Sequence, residues 1–149
     1  MKELRGMKKS LLTNLHRDRN FKIIQKLVDK NDFILDIGTS DGLLLNYFNG
    51  VGIDVTSERF ESSGNMVVND VEKSFSFKDE IFDVCVASHI IEHLDNYEML
   101  IKECYRVLKK HGKIIILTPE WYSDYVIKIC LKLRLLTDID HKNISQKKS

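Results

Sequence analysis

The most informative segment of this chain is Phe33-Ile34-Leu35-Asp36-Ile37-Gly38-Thr39-Ser40-Asp41-Gly42. A short apolar run ends at a carboxylate, two glycines follow with three residues between them, and a second apolar segment then begins. This order predicts a buried strand and a tight turn whose backbone can approach a ligand at the carboxyl end of a sheet. Val51-Gly52-Ile53-Asp54 repeats the pattern of a short strand that closes on an acid. Two acids at neighbouring strand ends favour a ligand that carries cationic groups and a ribose.

Outward from this stretch, apolar runs alternate with segments of helical spacing, which predicts an α/β fold with a parallel sheet and right-handed crossovers. Helices are expected within Ser10–Lys30, as one broken helix or two, over Gly42–Phe48, and over Tyr97–Lys109 with His111-Gly112 as its cap. The predicted strands are Phe33–Ile37, Val51–Asp54, Met66–Val68, Ile81–Ala87 and Lys113–Leu117.

The composition is that of an ordinary globular protein, with 149 residues, 43% hydrophobic and 30% charged. A single domain over residues 1–149 is expected, with residues 1–9 and 142–149 as flexible tails. The net charge of +1 gives no reason to expect nucleic acid as a partner. Cys85, Cys104 and Cys130 are isolated among apolar neighbours, which favours buried free thiols. With no apolar signal core and no run of membrane-spanning length, a cytoplasmic location is expected.

A dinucleotide-binding domain is the obvious competitor, and its Gly-x-Gly-x-x-Gly fingerprint fails here. Counting from Gly38, the second and third glycines are replaced by Ser40 and Leu43. Asp36 and Asp41 flank the turn, so a pyrophosphate bound there would meet two like charges. A cationic ligand would be stabilised by the same acids.

Five motifs occur in an order that resembles the class I S-adenosylmethionine (SAM)-dependent methyltransferases, in particular the group called type 11. They are Asp36-x-Gly38-x-x-x-Gly42, the strand-end Asp54, Asn69-Asp70, Phe82-Asp83-Val84 followed by His89-Ile90-Ile91-Glu92-His93-Leu94, and Arg106-Val107-Leu108-Lys109-Lys110-His111-Gly112. The resemblance covers residues 21–119. It implies a Rossmann-like sheet in the strand order 3-2-1-4-5, with helices on both faces, SAM as the cofactor and in-line methyl transfer. One departure is Ser40, where the family usually has glycine.

The resemblance also implies roles for individual residues. The loop Asp36–Gly42 would hold the methionine end of SAM, and Asp54 would accept hydrogen bonds from both ribose hydroxyls. Asp70 would meet the adenine amino group, and Ala87 and Ser88 would lie near the sulfonium. The cofactor-binding set that follows is Asp36, Gly38, Thr39, Ser40, Gly42, Asp54, Val55, Asp70, Val71, Ala87 and Ser88. A cap or turn role stays open for Asp36, Asp54 and Asp70.

His89, Glu92 and His93 raise the question of metal binding or acid–base chemistry. The two histidines are four residues apart, but only one carboxylate accompanies them, so no metal is expected. His89 follows the strand end nearest the reacting methyl group and is the candidate catalytic residue, as a general base. A histidine that forms the pocket wall is the alternative.

The segment after Pro119 bears on activity. Apolar residues recur at helical spacing over Trp121–Leu136, which favours a helix packed on the sheet over a lid on the acceptor pocket. The C-terminal β-hairpin of the family is expected to be missing, which would leave the fifth strand at the sheet edge and favour self-association through it. The expected function is methyl transfer to an unidentified small-molecule or lipid- or glycan-type acceptor. The alternative is a non-catalytic, truncated cofactor-fold module that binds a protein partner.

Overall fold

The strands of the computed structural model form one parallel sheet in the order β3-β2-β1-β4-β5, as predicted. The structure describes residues 17–58, 65–119, 124, 126 and 128. The strands are β1 Ile34–Ile37, β2 Gly50–Asp54, β3 Met66–Val68, β4 Phe82–Ser88 and β5 Leu108–Leu117. Up to Pro119, the described elements also include two α-helices, α1 over residues 17–27 and α2 over Tyr97–Val107, and two 3-10 turns, Leu43–Asn46 and Ile91–His93.

Helices cover both faces of the sheet, as predicted. On one face, Ile24 of α1 packs in a buried cluster with Ile34 of β1 and Val84 of β4. Because side chains alternate along a strand, Cys85 points to the other face. There its sulfur lies 3.9 Å from the carbonyl oxygen of Cys104, on the buried side of α2. Both thiols are buried and free.

The end of α2 differs from the prediction. The helix stops at Val107, and Leu108 already has the extended backbone of β5 (φ −73°, ψ 136°). Opposite β4, the register passes from Phe82–Leu108 to Val84–Lys113, so residues 109–112 form a bulge rather than a helix cap. Ion pairing fixes this path, since the ammonium of Lys109 lies 2.9 Å from both carboxylate oxygens of Asp83.

The predicted helix over Gly42–Phe48 is also shorter than expected. Only Leu43–Asn46 is helical, as a single 3-10 turn, and Gly42 precedes it in the left-handed conformation (φ 72°). The chain then turns into the sheet, where the Ile34 N–H donates to the carbonyl oxygen of Asn49 at 2.9 Å and β2 begins at Gly50.

The chain divides into two compact units, Met1–Thr118 and Pro119–Ser149. Apart from Pro119, only residues 124, 126 and 128 of the second unit are described, and they are helical. The predictions for Cys130, for most of Trp121–Leu136, for the missing hairpin and for the two tails therefore lie outside the described residues, and the single domain stays a prediction. No helix within the described ranges is long and apolar enough to span a membrane.

Candidate functional site

The turn after β1 is built from left-handed residues. Gly38 and Gly42 have φ of 72°, and Ser40 between them has φ of 52°. The N–H groups of Gly38 and Thr39 both donate to the carbonyl oxygen of Ile53, at 2.8 and 3.1 Å. This pair of hydrogen bonds holds the turn against the carboxyl end of β2. Ser40 occupies a conformation that favours glycine, which explains why the family usually has glycine there.

Asp36 lies beneath this turn as a buried carboxylate, only 5% exposed. Its Oδ2 accepts a hydrogen bond of 2.7 Å from the Thr39 hydroxyl, and its Oδ1 has no hydrogen-bond partner within the described ranges. Burial raises the pKa of Asp36 to about 6, the Thr39 hydrogen bond opposes that shift, and the charges of Asp41 and Asp54 add to it. A buried carboxylate beside two further acids favours a cationic ligand.

Asp54, at the end of β2, binds the same turn. Its Oδ2 accepts a hydrogen bond of 3.0 Å from the Ser40 N–H, and its Oδ1 accepts none from the described part of the chain. Asp54 is partly exposed, and Val55 beside it is 67% exposed. One carboxylate oxygen therefore fixes the turn while the other remains available to a ligand, so a turn role and a binding role are compatible.

A cavity of about 560 Å³ opens between α1, this turn and the end of β4. Six of the predicted site residues line this cavity: Asp36, Gly38, Thr39, Ser40, Ser88 and His89. Arg17, Asn20, Phe21 and Ile24 of α1 also line it and were not predicted. Their spacing of i, i+3, i+4 and i+7 is that of one helix face, a signal that is visible only when polar residues are counted with apolar ones. Arg17 forms an ion pair of 2.9 Å with Asp41, which also lines the cavity.

Asp70 lies beyond this cavity, near Asp54 at the sheet edge. The N–H of Asn69 donates to the carbonyl oxygen of Asp54 at 2.8 Å, which brings the ends of β2 and β3 together. Asp70 accepts a hydrogen bond from the Glu72 N–H at 3.1 Å and pairs with Lys73 at 3.0 Å. The hydrogen bond with Lys73 is the main reason that the pKa of Asp70 is lowered. Both carboxylate oxygens of Asp70 therefore have partners within its own turn, Oδ1 the Glu72 N–H and Oδ2 the Lys73 ammonium.

Three further predicted residues present no side chain to the cavity. The side chains of Val71 and Ala87 are buried, so only their backbone could contact a ligand. Gly42 does not line the cavity and instead starts the 3-10 turn.

His89 leaves β4 in a left-handed conformation (φ 52°), and its N–H donates to the carbonyl oxygen of Leu117 at 2.7 Å. Its Nδ1 lies 3.2 Å from Oε1 of Glu92, whose Oε2 accepts from the Thr118 hydroxyl at 3.4 Å. His93 is exposed on the same 3-10 turn. No three metal-ligating side chains come together within the described ranges. The absence of a metal stays a prediction.

We expect Gly38→Ala to destabilise the fold as well as to weaken ligand binding at the turn. A Cβ at position 38 would lie 2.5 Å from Cδ1 of Ile90, and its φ of 72° is unfavourable for L-residues. The free energy of unfolding should fall by about 1–2 kcal/mol, since a left-handed residue with a side chain costs that much. Urea unfolding measures it, with Ser40→Gly as the matched control because glycine suits that backbone. Equal stability of Gly38→Ala and the parent chain would show that the turn tolerates side chains.

A family profile described as a methyltransferase domain matches residues 35–116 of the chain. Among curated relatives, the mitochondrial ubiquinone biosynthesis O-methyltransferase of Rattus norvegicus is 33% identical over 103 residues, which cover 57% of this chain and 30% of the relative. An uncharacterized protein of Methanocaldococcus jannaschii is 36% identical over 86 residues, covering 55% of this chain and 42% of its own. The chain spans less than half the length of the curated relatives it matches.

Solved structures show the same likeness. A Pyrococcus horikoshii protein superposes with a TM-score of 0.61 at 27% identity, covering 80% of this chain and 62% of its own. A SAM-dependent methyltransferase from Archaeoglobus fulgidus gives a TM-score of 0.60 at 27% identity, covering 69% of this chain and 51% of its own.

Proposed function

Because the chain belongs to the methyltransferase-domain family, we propose that it binds SAM at the carboxyl ends of β1 and β2 and transfers its methyl group to a small-molecule acceptor. The observation that carries this proposal is Asp36, a buried carboxylate on the wall of a cavity, with one oxygen that has no partner in the described part of the chain. An unpaired buried charge is costly, and a cationic ligand would offset that cost.

The residues present fit SAM. The ammonium group of its methionine end would bind near Asp36 and Asp41, which line the cavity. The ribose hydroxyls would donate to the free oxygen of Asp54, and Asp70 near it would serve the adenine amino group. When bound, SAM supplies a methyl group on a positively charged sulfur. The chain's part is to orient donor and acceptor and to keep water out, since such a transfer depends mainly on alignment.

Apolar side chains from two directions suit a small organic acceptor. Phe21 and Ile24 on α1, with Leu43 and Leu44 after the turn, line the cavity beside the polar residues of the turn and β4. Ligand pockets in proteins commonly combine an apolar wall with a few polar groups in this way. The rat relative is an O-methyltransferase by name, which supports an oxygen acceptor. A lipid- or glycan-type acceptor stays open.

Turnover separates this proposal from a non-catalytic module that only binds a protein partner. The chain is incubated with methyl-tritiated SAM and separate phenol, carboxylic acid, amine, lipid and glycan acceptors, and labelled product is counted. We expect transfer to at least one class, and loss of transfer in Asp54→Ala. Binding of SAM with no transfer to any class would favour the non-catalytic module.

Self-association through β5 remains a prediction with its own test. Within the described ranges β5 pairs only with β4, and Ile114 on it is 38% exposed. An apolar edge strand invites pairing with a second copy. Sedimentation at several concentrations should show a dimer that Ile114→Lys dissociates. A monomer at high concentration, with freely exchanging amides over residues 113–118, would contradict it.

A further inference from the structure

His89 keeps a strained backbone at the edge of the cavity. A left-handed conformation is unfavourable for a residue with a side chain, and His89 has φ of 52°. The hydrogen bond from its N–H to Leu117 fixes this conformation at the point where β4 and β5 end. Strain of this kind persists where the surroundings impose it, and it clusters at functional sites. His89 lines the same cavity as Asp36.

Glu92 determines which nitrogen of that imidazole carries the proton. Its side chain is 8% exposed, and its Oε1 lies 3.2 Å from Nδ1 of His89. The Thr118 hydroxyl donates to its other oxygen at 3.4 Å. An ionised carboxylate can only accept hydrogen bonds, so Nδ1 must be the donor. In the neutral ring Nε2 is then unprotonated, and it makes no hydrogen bond within the described ranges.

Other charged groups line the cavity with His89, but within the described part of the chain Glu92 is the charged group that hydrogen-bonds to its ring. Arg17 comes from α1 and pairs with Asp41 of the turn, while Asp36 is hydrogen-bonded to Thr39. These groups set the general field of the cavity, whereas Glu92 acts on His89 directly through a hydrogen bond.

From this geometry we infer that His89 is the general base of the reaction, that Glu92 is its positioning residue, and that the acceptor is a hydroxyl compound of the phenol or enol type. The inference rests on the proposed function. The acceptor O–H bond breaks and its proton passes to Nε2 of His89 while the oxygen forms its bond to the methyl carbon. The carbon–sulfur bond breaks, its electron pair stays on sulfur, and S-adenosylhomocysteine leaves with the methylated acceptor.

The acceptor class follows from the need for a base. The O–H proton of a phenol or an enol is acidic enough to pass to an imidazole while the oxygen is methylated. An aliphatic hydroxyl is far less acidic. A carboxylate or a tertiary amine has no proton to lose and would need no base. The apolar side chains of Phe21 and Ile24 on the cavity wall suit an aromatic ring.

The tautomer of His89 shows directly whether Glu92 positions the ring, and it can be measured without an acceptor. In the full chain labelled with ¹⁵N-histidine, long-range proton–nitrogen NMR spectra at pH 8 should show His89 protonated at Nδ1. Glu92→Gln should shift His89 toward the Nε2-protonated form that free imidazole favours. His93→Gln is the matched control, which removes a neighbouring ring without touching the pair. A wild-type His89 protonated at Nε2 would overturn the inference.

Binding and transfer then separate this inference from the proposed function. His89→Asn keeps a residue that tolerates the left-handed backbone. It should leave affinity for S-adenosylhomocysteine within about threefold while transfer to the phenol probe 3,4-dihydroxybenzoate falls at least 100-fold. Unchanged transfer in His89→Asn, or transfer confined to carboxylic acid or tertiary amine probes, would overturn the general base but leave SAM binding intact. A wild-type chain that binds neither SAM nor its product would instead refute the proposed function.

Discussion

Asp54→Ala is expected to weaken the binding of S-adenosylhomocysteine by about 30- to 150-fold. In the proposed complex the ribose hydroxyls would donate to the Asp54 oxygen that has no partner within the described ranges, and the loss of charge-assisted hydrogen bonds costs about 2–3 kcal/mol. Its other oxygen holds the Ser40 N–H at 3.0 Å, so the substitution also loosens the turn that lines the cavity. Both effects reduce affinity in the same direction, and calorimetric titration at pH 7.5 measures their sum.

Asp95→Ala is the matched control, because Asp95 is an exposed acid outside the cavity and outside the turn. It removes the same charge and should leave affinity unchanged. Unfolding curves of both variants show how much of the loss comes from the fold itself. If Asp54→Ala bound S-adenosylhomocysteine as tightly as Asp95→Ala, Asp54 would not be part of the binding site.

Asp36→Asn is expected to stabilise the free protein at neutral pH. The raised pKa of Asp36, about 6 against an ordinary 3.8, means that the folded state holds this proton more tightly than the unfolded state. The stability that Asp36 contributes is therefore complete below pH 3.8 and is lost as the pH rises to about 6. Relative to wild type, Asp36→Asn should gain about 3 kcal/mol of unfolding free energy between pH 3.5 and pH 7.5.

Urea unfolding of both chains over that pH range, without ligand, checks the expected gain. The comparison is a difference between two chains, so the titration of acids that do not interact with Asp36 cancels. With S-adenosylhomocysteine present the order should reverse, because the ligand's ammonium group needs the charge that Asn lacks. A constant difference between the two chains from pH 3.5 to pH 7.5 would mean that Asp36 ionises normally.

Most of the strands of the sheet could be predicted because each has a clear pattern in the sequence. Each is a short apolar run closed by an acid or by a turn, and β3 begins and ends where the sequence predicts. The bulge at residues 109–112 could not be predicted, because the helical pattern of α2 continues through Leu108 and the ion pair of Lys109 with Asp83 joins residues that are distant in sequence.

The candidate site could be predicted only where its residues lie on strand ends or on the glycine turn. Arg17 and Asn20 reach the cavity through the packing of α1, which depends on tertiary contacts. The pairing of His89 with Glu92 depends on a left-handed backbone at a non-glycine residue, and such a conformation leaves little trace in sequence. These contacts, of α1 with the cavity and of His89 with Glu92, are the ones on which the proposed acceptor and general base depend.

Calorimetric titration of the full chain with S-adenosylhomocysteine, with NAD titrated in parallel, distinguishes a SAM site from a dinucleotide site. We expect saturable binding of one S-adenosylhomocysteine per chain and no binding of NAD, whose pyrophosphate would meet the buried carboxylate of Asp36. Absence of heat with S-adenosylhomocysteine, or saturable binding of NAD, would show that this cavity is not a SAM site.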